Sequence, residues 1–167
     1  MIKKIHLSIF TALCIFFVTA CGYKIAGYDK NKPIRFYVEN VINDTIDPNY
    51  ADFVGTSIKK YLIKYDELSS YDDATFFMEA RLESIFFEAD ITSATDEAVT
   101  TDLTVEIFII ITDVNGVEVY SRTYKTSDSF SVSQQIQTSL SNRQAAIEDC
   151  VETIMENFRS AFISKIL

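Results

Sequence analysis

An alternating apolar segment followed by a turn signal constrains the fold of this chain most. Apolar residues occupy every second position from 103 to 111, the period of a β-strand that has one face in a core. Asn115-Gly116 follows, and this dipeptide is a strong hairpin signal because both central positions of the favoured turn need positive φ. A returning strand is predicted over residues 117–125. The chain therefore contains a hairpin whose apolar face needs a second layer to cover it.

Two more strands precede this hairpin. Residues 34–38 alternate and are rich in β-branched and aromatic side chains, which predicts a first strand. Residues 78–91 predict a second, but its apolar positions change parity near Ser84-Ile85-Phe86. One extra residue there, a β-bulge, would keep the apolar side chains on the core face. The alternative is that both faces of the strand are covered at this point.

Two amphipathic helices are predicted. The first spans about 48–65, with Asp47 as N-cap and Pro48 at the first helical position, where a missing N–H costs nothing. The second begins at a capping box, Ser141 to Gln144, and runs almost to the C-terminus. The Asn- and Asp-rich residues 39–47 and the Ser- and Gln-rich residues 127–141 are predicted to be loops.

The element order β-α-β-β-β-α predicts an α+β fold. We expect a two-layer sandwich, with a four-stranded, mostly antiparallel sheet and two helices on one of its faces. Residues 34–167 form this single domain, a length that suits one core. The other sheet face then requires solvent or a partner.

The N-terminus predicts export and lipid attachment. Lys3 and Lys4 precede a 12-residue apolar run, which is typical of a secretory signal over residues 1–20. The run is shorter than the roughly 20 residues that a membrane-spanning helix needs. Val18 to Cys21 reads Val-Thr-Ala-Cys and fits a lipobox, in which cleavage leaves a lipidated cysteine. The alternative is an ordinary signal that happens to be followed by a cysteine.

Lipidation of Cys21 would determine where the protein resides. Each buried methylene contributes about 0.8 kcal/mol and stable anchoring needs more than one acyl chain, a condition that a diacylglyceryl cysteine meets. Gly22 is not the Asp that favours retention in the inner membrane. The expected location is therefore the periplasmic side of the outer membrane, with residues 21–33 as a lipidated tether.

Composition argues against several functions. Loss of Lys3 and Lys4 with the signal leaves 13 basic and 24 acidic residues, a net charge of −11, which is unlike a nucleic-acid binder. The single histidine, His6, is in the signal, so no histidine-based catalytic or metal site is expected. The acidic pairs at 72–73 and 96–97 read as solvated turn residues. We therefore expect no enzyme, no metal and no cofactor.

Two features concern the interior and the surface. Cys150 has apolar neighbours in the second helix and is interpreted as a buried thiol that acts as a small hydrophobic group. The chain carries nine Tyr and 13 Phe, and residues 86–87 and 108–111 are apolar on both faces of their strands. The second sheet face or the sheet edge is thus a candidate surface for protein or acyl chains, or is covered by ordinary edge and loop packing.

The opening of the mature chain, Cys21-Gly22-Tyr23-Lys24-Ile25-Ala26-Gly27, resembles that of the LPS-assembly lipoproteins, the LptE family. The order of strands and helices is also similar along the whole mature chain. The resemblance implies a sandwich of two helices on a four-stranded sheet. It further implies a plug inside an outer-membrane β-barrel of the LptD kind, whose assembly it assists during lipopolysaccharide transport to and insertion in the outer leaflet.

The acidic charge departs from this family, whose members bind lipid phosphates through basic residues. Six basic side chains are candidates for contact with lipopolysaccharide: Lys59, Lys60, Lys64, Arg81, Arg122 and Lys125. None of them maps onto a family binding residue, and solvated surface positions are the simpler interpretation. The alternative function is an unrelated small lipoprotein adaptor for a secretion or envelope machine, facing the periplasm.

Overall fold

The computed structural model describes residues 33–90, 99–132 and 135–166, which form two layers. The elements are β1 (Phe36–Asn43), α1 (Asn49–Lys64), β2 (Phe76–Asp90), β3 (Val99–Asp113), β4 (Glu118–Val132) and α2 (Ile136–Ile166). The sheet order is β1-β2-β3-β4. β1 and β2 are parallel, and the other two pairs are antiparallel. The predicted α+β sandwich with the order β-α-β-β-β-α is confirmed.

The start of α1 follows from the sequence as expected. Pro48 already has helical backbone angles, φ −64° and ψ −20°. The Asp47 carboxylate accepts a hydrogen bond from the Asn49 backbone N–H at 3.0 Å, which satisfies one of the unpaired donors of the first turn. Gly55 lies on the face toward β1, where a Cβ would come within 3.1 Å of Val41. Glycine therefore permits a close approach of the helix to the edge strand.

The core lies between the sheet and the two helices. Alternate residues of β3 are fully buried, from Leu103 to Ile111, as the alternation predicted. Four aromatic rings join the layers: Phe36 lies 5.7 Å from Phe158 and 5.4 Å from Phe162, and Phe76 lies 5.0 Å from Phe162 between centroids. Fully burying a large apolar side chain contributes about 1.5–3 kcal/mol, so this cluster holds α2 on the sheet.

The parity change in β2 is a β-bulge. Leu82 pairs with Ile107 and Ser84 with Glu106, so Glu83 is the extra residue, one position before the predicted segment. Beyond it, Ile85 and Phe87 pack against the core, whereas Phe86 is 59% exposed on the other face. The bulge interpretation is therefore confirmed, and the alternative of two covered faces is wrong.

Two predicted loops are wrong. Residues 39–43 continue β1, because they pair with β2 over Asn40 to Asn43. Residues 127–132 continue β4, because they pair with β3 as far as Val99, and α2 begins at Ile136 rather than at Ser141. Pairing with the neighbouring strand outweighs the turn preference of Asn and Ser in residues 39–43 and 127–132. From Ile136 onward, helix formation outweighs the turn preference of Ser and Gln. The capping box over 141–144 therefore lies inside the helix.

The β3–β4 hairpin is confirmed, but its turn differs from the predicted type. Asp66 is the only described non-glycine residue with positive φ, so Asn115 has negative φ. Of the predicted turn pair, only Gly116 has positive φ, at +75°. The Gly116 N–H donates to the Asp113 carbonyl at 2.9 Å. The Asp113 carboxylate also accepts the N–H groups of Asn115 and Val117, at 2.8 and 2.9 Å. This is the longer hairpin connection that ends in a left-handed glycine.

Candidate interaction surfaces

The sheet face opposite the helices is the first candidate surface, here called the outer face. Its side chains alternate with the buried core residues of each strand. Tyr37, Phe77, Phe108 and Ile110 are half-buried there, although no helix covers this face in the described part of the chain. Half-buried apolar side chains on an uncovered sheet face are typical of a binding surface.

An aromatic cluster occupies one end of the outer face. Tyr37 of β1 and Phe77 of β2 are register partners with ring centroids 6.2 Å apart. Tyr71, from the loop before β2, lies 5.5 Å from Tyr37 and 5.0 Å from Phe77. These separations are in the range of favourable edge-to-face ring pairs. The Tyr71 side chain remains 59% exposed, so the cluster still presents an apolar surface.

The middle of the outer face is charged. Arg81 Nη2 lies 3.6 Å from Glu79 Oε1, and its Nε lies 3.9 Å from Asp44 Oδ2. Lys125 Nζ lies 3.7 Å from Glu106 Oε2. Both predicted basic candidates on this face are therefore neutralised by neighbouring carboxylates.

The helix layer holds two more candidates in ion pairs. Lys60 pairs with Glu148, and Lys64 pairs with Glu152 at 2.6 Å. The hydrogen bond from each lysine to its glutamate, followed by the direct charge attraction, raises the pKa of each lysine above its ordinary value. Both pairs are solvent-exposed and contribute little to stability. They line a shallow interhelical groove of about 390 Å³.

The remaining candidates lie elsewhere. Lys59 lines a groove between α1 and the edge strand β1. The Arg122 guanidinium carbon lies 5.5 Å from the ring centroid of Tyr124 on the opposite edge strand. The six basic residues are thus divided among the helix layer, both sheet edges and the outer face. The structure does not bring them together into one basic patch.

Two further arginines make specific contacts. Arg159 Nε donates to the buried carboxylate of Glu67 at 2.8 Å, and its guanidinium lies 4.7 Å from the Tyr65 ring centroid. The Arg143 guanidinium lies 5.9 Å from Tyr50 and 5.8 Å from Phe87. Neither had a sequence signal, because Glu67 lies outside the predicted strands and helices and Arg143 lies in the predicted capping box.

The remaining sequence predictions concern Cys150, the acidic pairs, metal binding and membrane-spanning segments. Cys150 is buried as predicted, and burial raises the pKa of its thiol to about 11. Asp72 and Asp73 are exposed, as predicted, whereas 96–97, the signal and the tether with Cys21 lie outside the described residues. Within the ranges described, no three His, Cys, Asp or Glu side chains are grouped to hold a metal ion. Neither α1 nor α2 has the length and apolar character that crossing a membrane requires.

Comparisons with known proteins give a fold. No protein-family model and no curated protein matches the chain. A solved structure from Caulobacter crescentus, described as a lipoprotein, superposes with a TM-score of 0.52 at 11% identity and covers 75% of this chain and 89% of that one. A DUF330 protein from Xanthomonas campestris has the same TM-score and identity, over 79% and 85%.

A weaker similarity is to rare lipoprotein B from Shewanella oneidensis, with a TM-score of 0.43 and 10% identity over 77% of this chain and 97% of that one. This overlap is too low to support an argument. At such identities the similarity concerns the fold alone. The chain thus has an α+β sandwich fold that also occurs in a protein described as a bacterial lipoprotein.

Proposed function

We propose that this chain is a lipoprotein on the periplasmic side of the outer membrane that plugs a β-barrel partner and assists its assembly for lipopolysaccharide transport. Three features support the proposal. The sequence Val18 to Cys21 fits a lipobox, residues 21–27 resemble the start of the LPS-assembly lipoproteins, and the two-layer fold is the one that this resemblance implies.

The uncovered outer face is the observation that carries the proposal. It presents half-buried Phe77, Phe108 and Ile110 and the exposed Phe86, a surface that a plug enclosed by a barrel would bury. Apolar and aromatic side chains are enriched in the buried centre of protein interfaces. The ion pairs of Arg81 and Lys125 would lie within such an interface, where their neutralised charges favour contact with protein over contact with lipid phosphates.

The proposed role is binding and assembly rather than catalysis. The mature sequence has no histidine, and Lys60, Lys64 and Lys125 of the described surface are each paired with a glutamate. Direct contact with lipopolysaccharide through the six basic candidates is a secondary part of the proposal, because they are dispersed.

An unrelated adaptor lipoprotein is the second candidate function. It is favoured by the mature charge of −11, which departs from the basic lipid-binding surfaces of the LPS-assembly lipoproteins. Such a protein would use the same outer face to hold a component of a secretion or envelope machine.

The test is purification of the full-length lipoprotein through a C-terminal tag in mild detergent, with mass spectrometry of what remains bound. We expect a large outer-membrane barrel in stoichiometric amount. Ile110→Asp on the outer face should release it, and Thr153→Asp on the exposed face of α2 should not. Circular dichroism of both variants checks their folding. Recovery of a secretion or cell-wall component instead of a barrel would support the adaptor.

A further inference from the structure

One end of the sheet carries the start of the described chain, which follows the predicted lipid site in sequence. The described chain begins at Pro33, immediately before β1. Phe36, the first residue of β1, pairs with Phe76, the first residue of β2, which pairs with Asp113 at the end of β3. These strand ends, with the loop before β2 and the β3–β4 turn, are here called the tether end.

The tether end has apolar side chains in solvent. Tyr71 is 59% exposed, Val114 66% and Val117 57%. Tyr71 contacts the rings of Tyr37 and Phe77, so it is the outermost member of a supported aromatic cluster. Tyrosine suits a water–lipid boundary because its ring is apolar and its hydroxyl is polar.

The length of the tether limits how far this end can move from a membrane. The 13 residues from Cys21 to Pro33 are joined by 12 Cα–Cα steps, which span at most about 43 Å when fully extended. The 15-residue strand β2 extends roughly 50 Å in the opposite direction. An anchor at Cys21 therefore holds the tether end within about 43 Å of the bilayer and makes docking effectively intramolecular, so that a small apolar surface suffices.

We propose that the tether end docks on the zwitterionic phospholipid bilayer into which the Cys21 lipid inserts, with Tyr71, Val114 and Val117 at the headgroup boundary. The inference rests on the lipid anchor of the proposed function but not on the barrel partner. Three carboxylates flank the surface, those of Asp72, Asp73 and Asp113. Because these carboxylates outnumber the guanidinium of Arg35 at the same end, they repel anionic headgroups; the occupant is therefore a zwitterionic surface, and anionic lipids weaken docking.

The chain offers an internal reporter design because it contains no tryptophan. Tyr71→Trp and Val117→Trp each place a single fluorophore at the tether end, at exposed positions that tolerate it. Phe86→Trp is the matched control: Phe86 is also 59% exposed, but it lies toward the other end of the outer face, paired with Thr104. The full mature lipidated protein is reconstituted into phosphatidylcholine vesicles with or without acyl chains brominated near the headgroup.

We expect bromination to reduce the tryptophan emission of the Tyr71→Trp and Val117→Trp variants roughly twofold, because an interfacial ring lies about 5–10 Å into the headgroup boundary. The emission of the Phe86→Trp variant should stay unchanged. Replacing half of the lipid with phosphatidylglycerol should reduce the quenching. The proposal is overturned if bromination quenches all three variants equally, or if it quenches neither tether-end variant. Either result would favour a protein as the partner of that surface.

Vesicle flotation separates this result from the anchor itself. If the protein floats with the vesicles but neither tether-end variant is quenched, docking is wrong and the lipoprotein function stands. If the protein does not float with the vesicles, the predicted lipid anchor at Cys21 is absent, and the docking proposal, which rests on that anchor, is wrong as well.

Discussion

Phe158 lies at the centre of the ring cluster that joins α2 to the sheet, and its replacement by alanine is the strongest test of the packing. The side chain is fully buried. Its ring lies 5.5 Å from Phe162, 5.7 Å from Phe36, 5.8 Å from Tyr120 and 6.4 Å from Tyr124 between centroids. Truncation therefore removes four ring contacts and opens a cavity.

The expected loss follows from these contacts. Replacing a buried phenylalanine by alanine costs about 3–5 kcal/mol in the free energy of unfolding, and each ring pair adds about 0.5–1.5 kcal/mol beyond burial. Since the four contacts share one ring and are not additive, we expect about 4–5 kcal/mol for Phe158→Ala. Phe158→Leu, which keeps most of the volume, should cost roughly 1.5 kcal/mol.

The assay is urea unfolding of the mature chain with Cys21→Ala, followed by far-ultraviolet circular dichroism. A domain of this size has about 5–15 kcal/mol of stability, so Phe158→Ala should fold less completely without urea or unfold at a much lower midpoint. Phe86→Ala, at an exposed position of the outer face, should change stability by less than about 0.5 kcal/mol. Equal small losses in both variants would refute the placement of α2 on the sheet.

Three further predictions concern other parts of the domain. Asp113→Asn should flatten the acid limb of the stability curve: burial acts to raise the pKa of Asp113, but the hydrogen bonds from Val117 and Asn115 outweigh it and lower the pKa. Its stabilisation is therefore present above the unfolded-state pKa and is lost as pH falls through the lower folded-state value; an unchanged acid limb in urea midpoints taken at successive pH values would contradict this. Arg159→Met leaves the buried Glu67 carboxylate without its hydrogen-bond donor and should cost about 1–3 kcal/mol, most of which Glu67→Gln in the same chain should restore in thermal unfolding. Cys21→Ala should leave a folded but mislocalised domain in cell fractionation, and loss of its native circular dichroism would contradict a core that is independent of the anchor.

The sequence predicted those parts of the fold in which burial and periodicity coincide. The alternating residues of β3 and the apolar face of α1 identified their elements, and the parity change in β2 located a bulge to within one residue. The sequence-based prediction failed where pairing with a neighbouring strand determines the structure. Residues 127–132 have a loop composition but pair with β3, and residues 39–43 are held by β2.

The candidate surfaces were only partly predictable. The apolar surplus in β2 and β3 identified the outer face, because side chains in excess of one core face must lie on the other. The acidic partners of the basic residues could not be predicted, because the contacts join distant segments: Lys60 meets Glu148, and Arg159 meets Glu67. The order of charged residues along the chain does not show which of them lie next to each other in the fold.

The extra residue Glu83 divides β2 into two segments of opposite phase. Toward the tether end even-numbered positions face the helices, and beyond the bulge odd-numbered positions do. Deleting Glu83 would therefore remove the bulge and join the two segments into one regular alternation, in which the hydrogen-bond register and the buried face are both kept and the local bend of the strand is lost. Deleting a residue elsewhere in β2 would instead turn the side chains between that site and the bulge to the opposite face, so related chains are expected to lose a residue of this strand at the bulge.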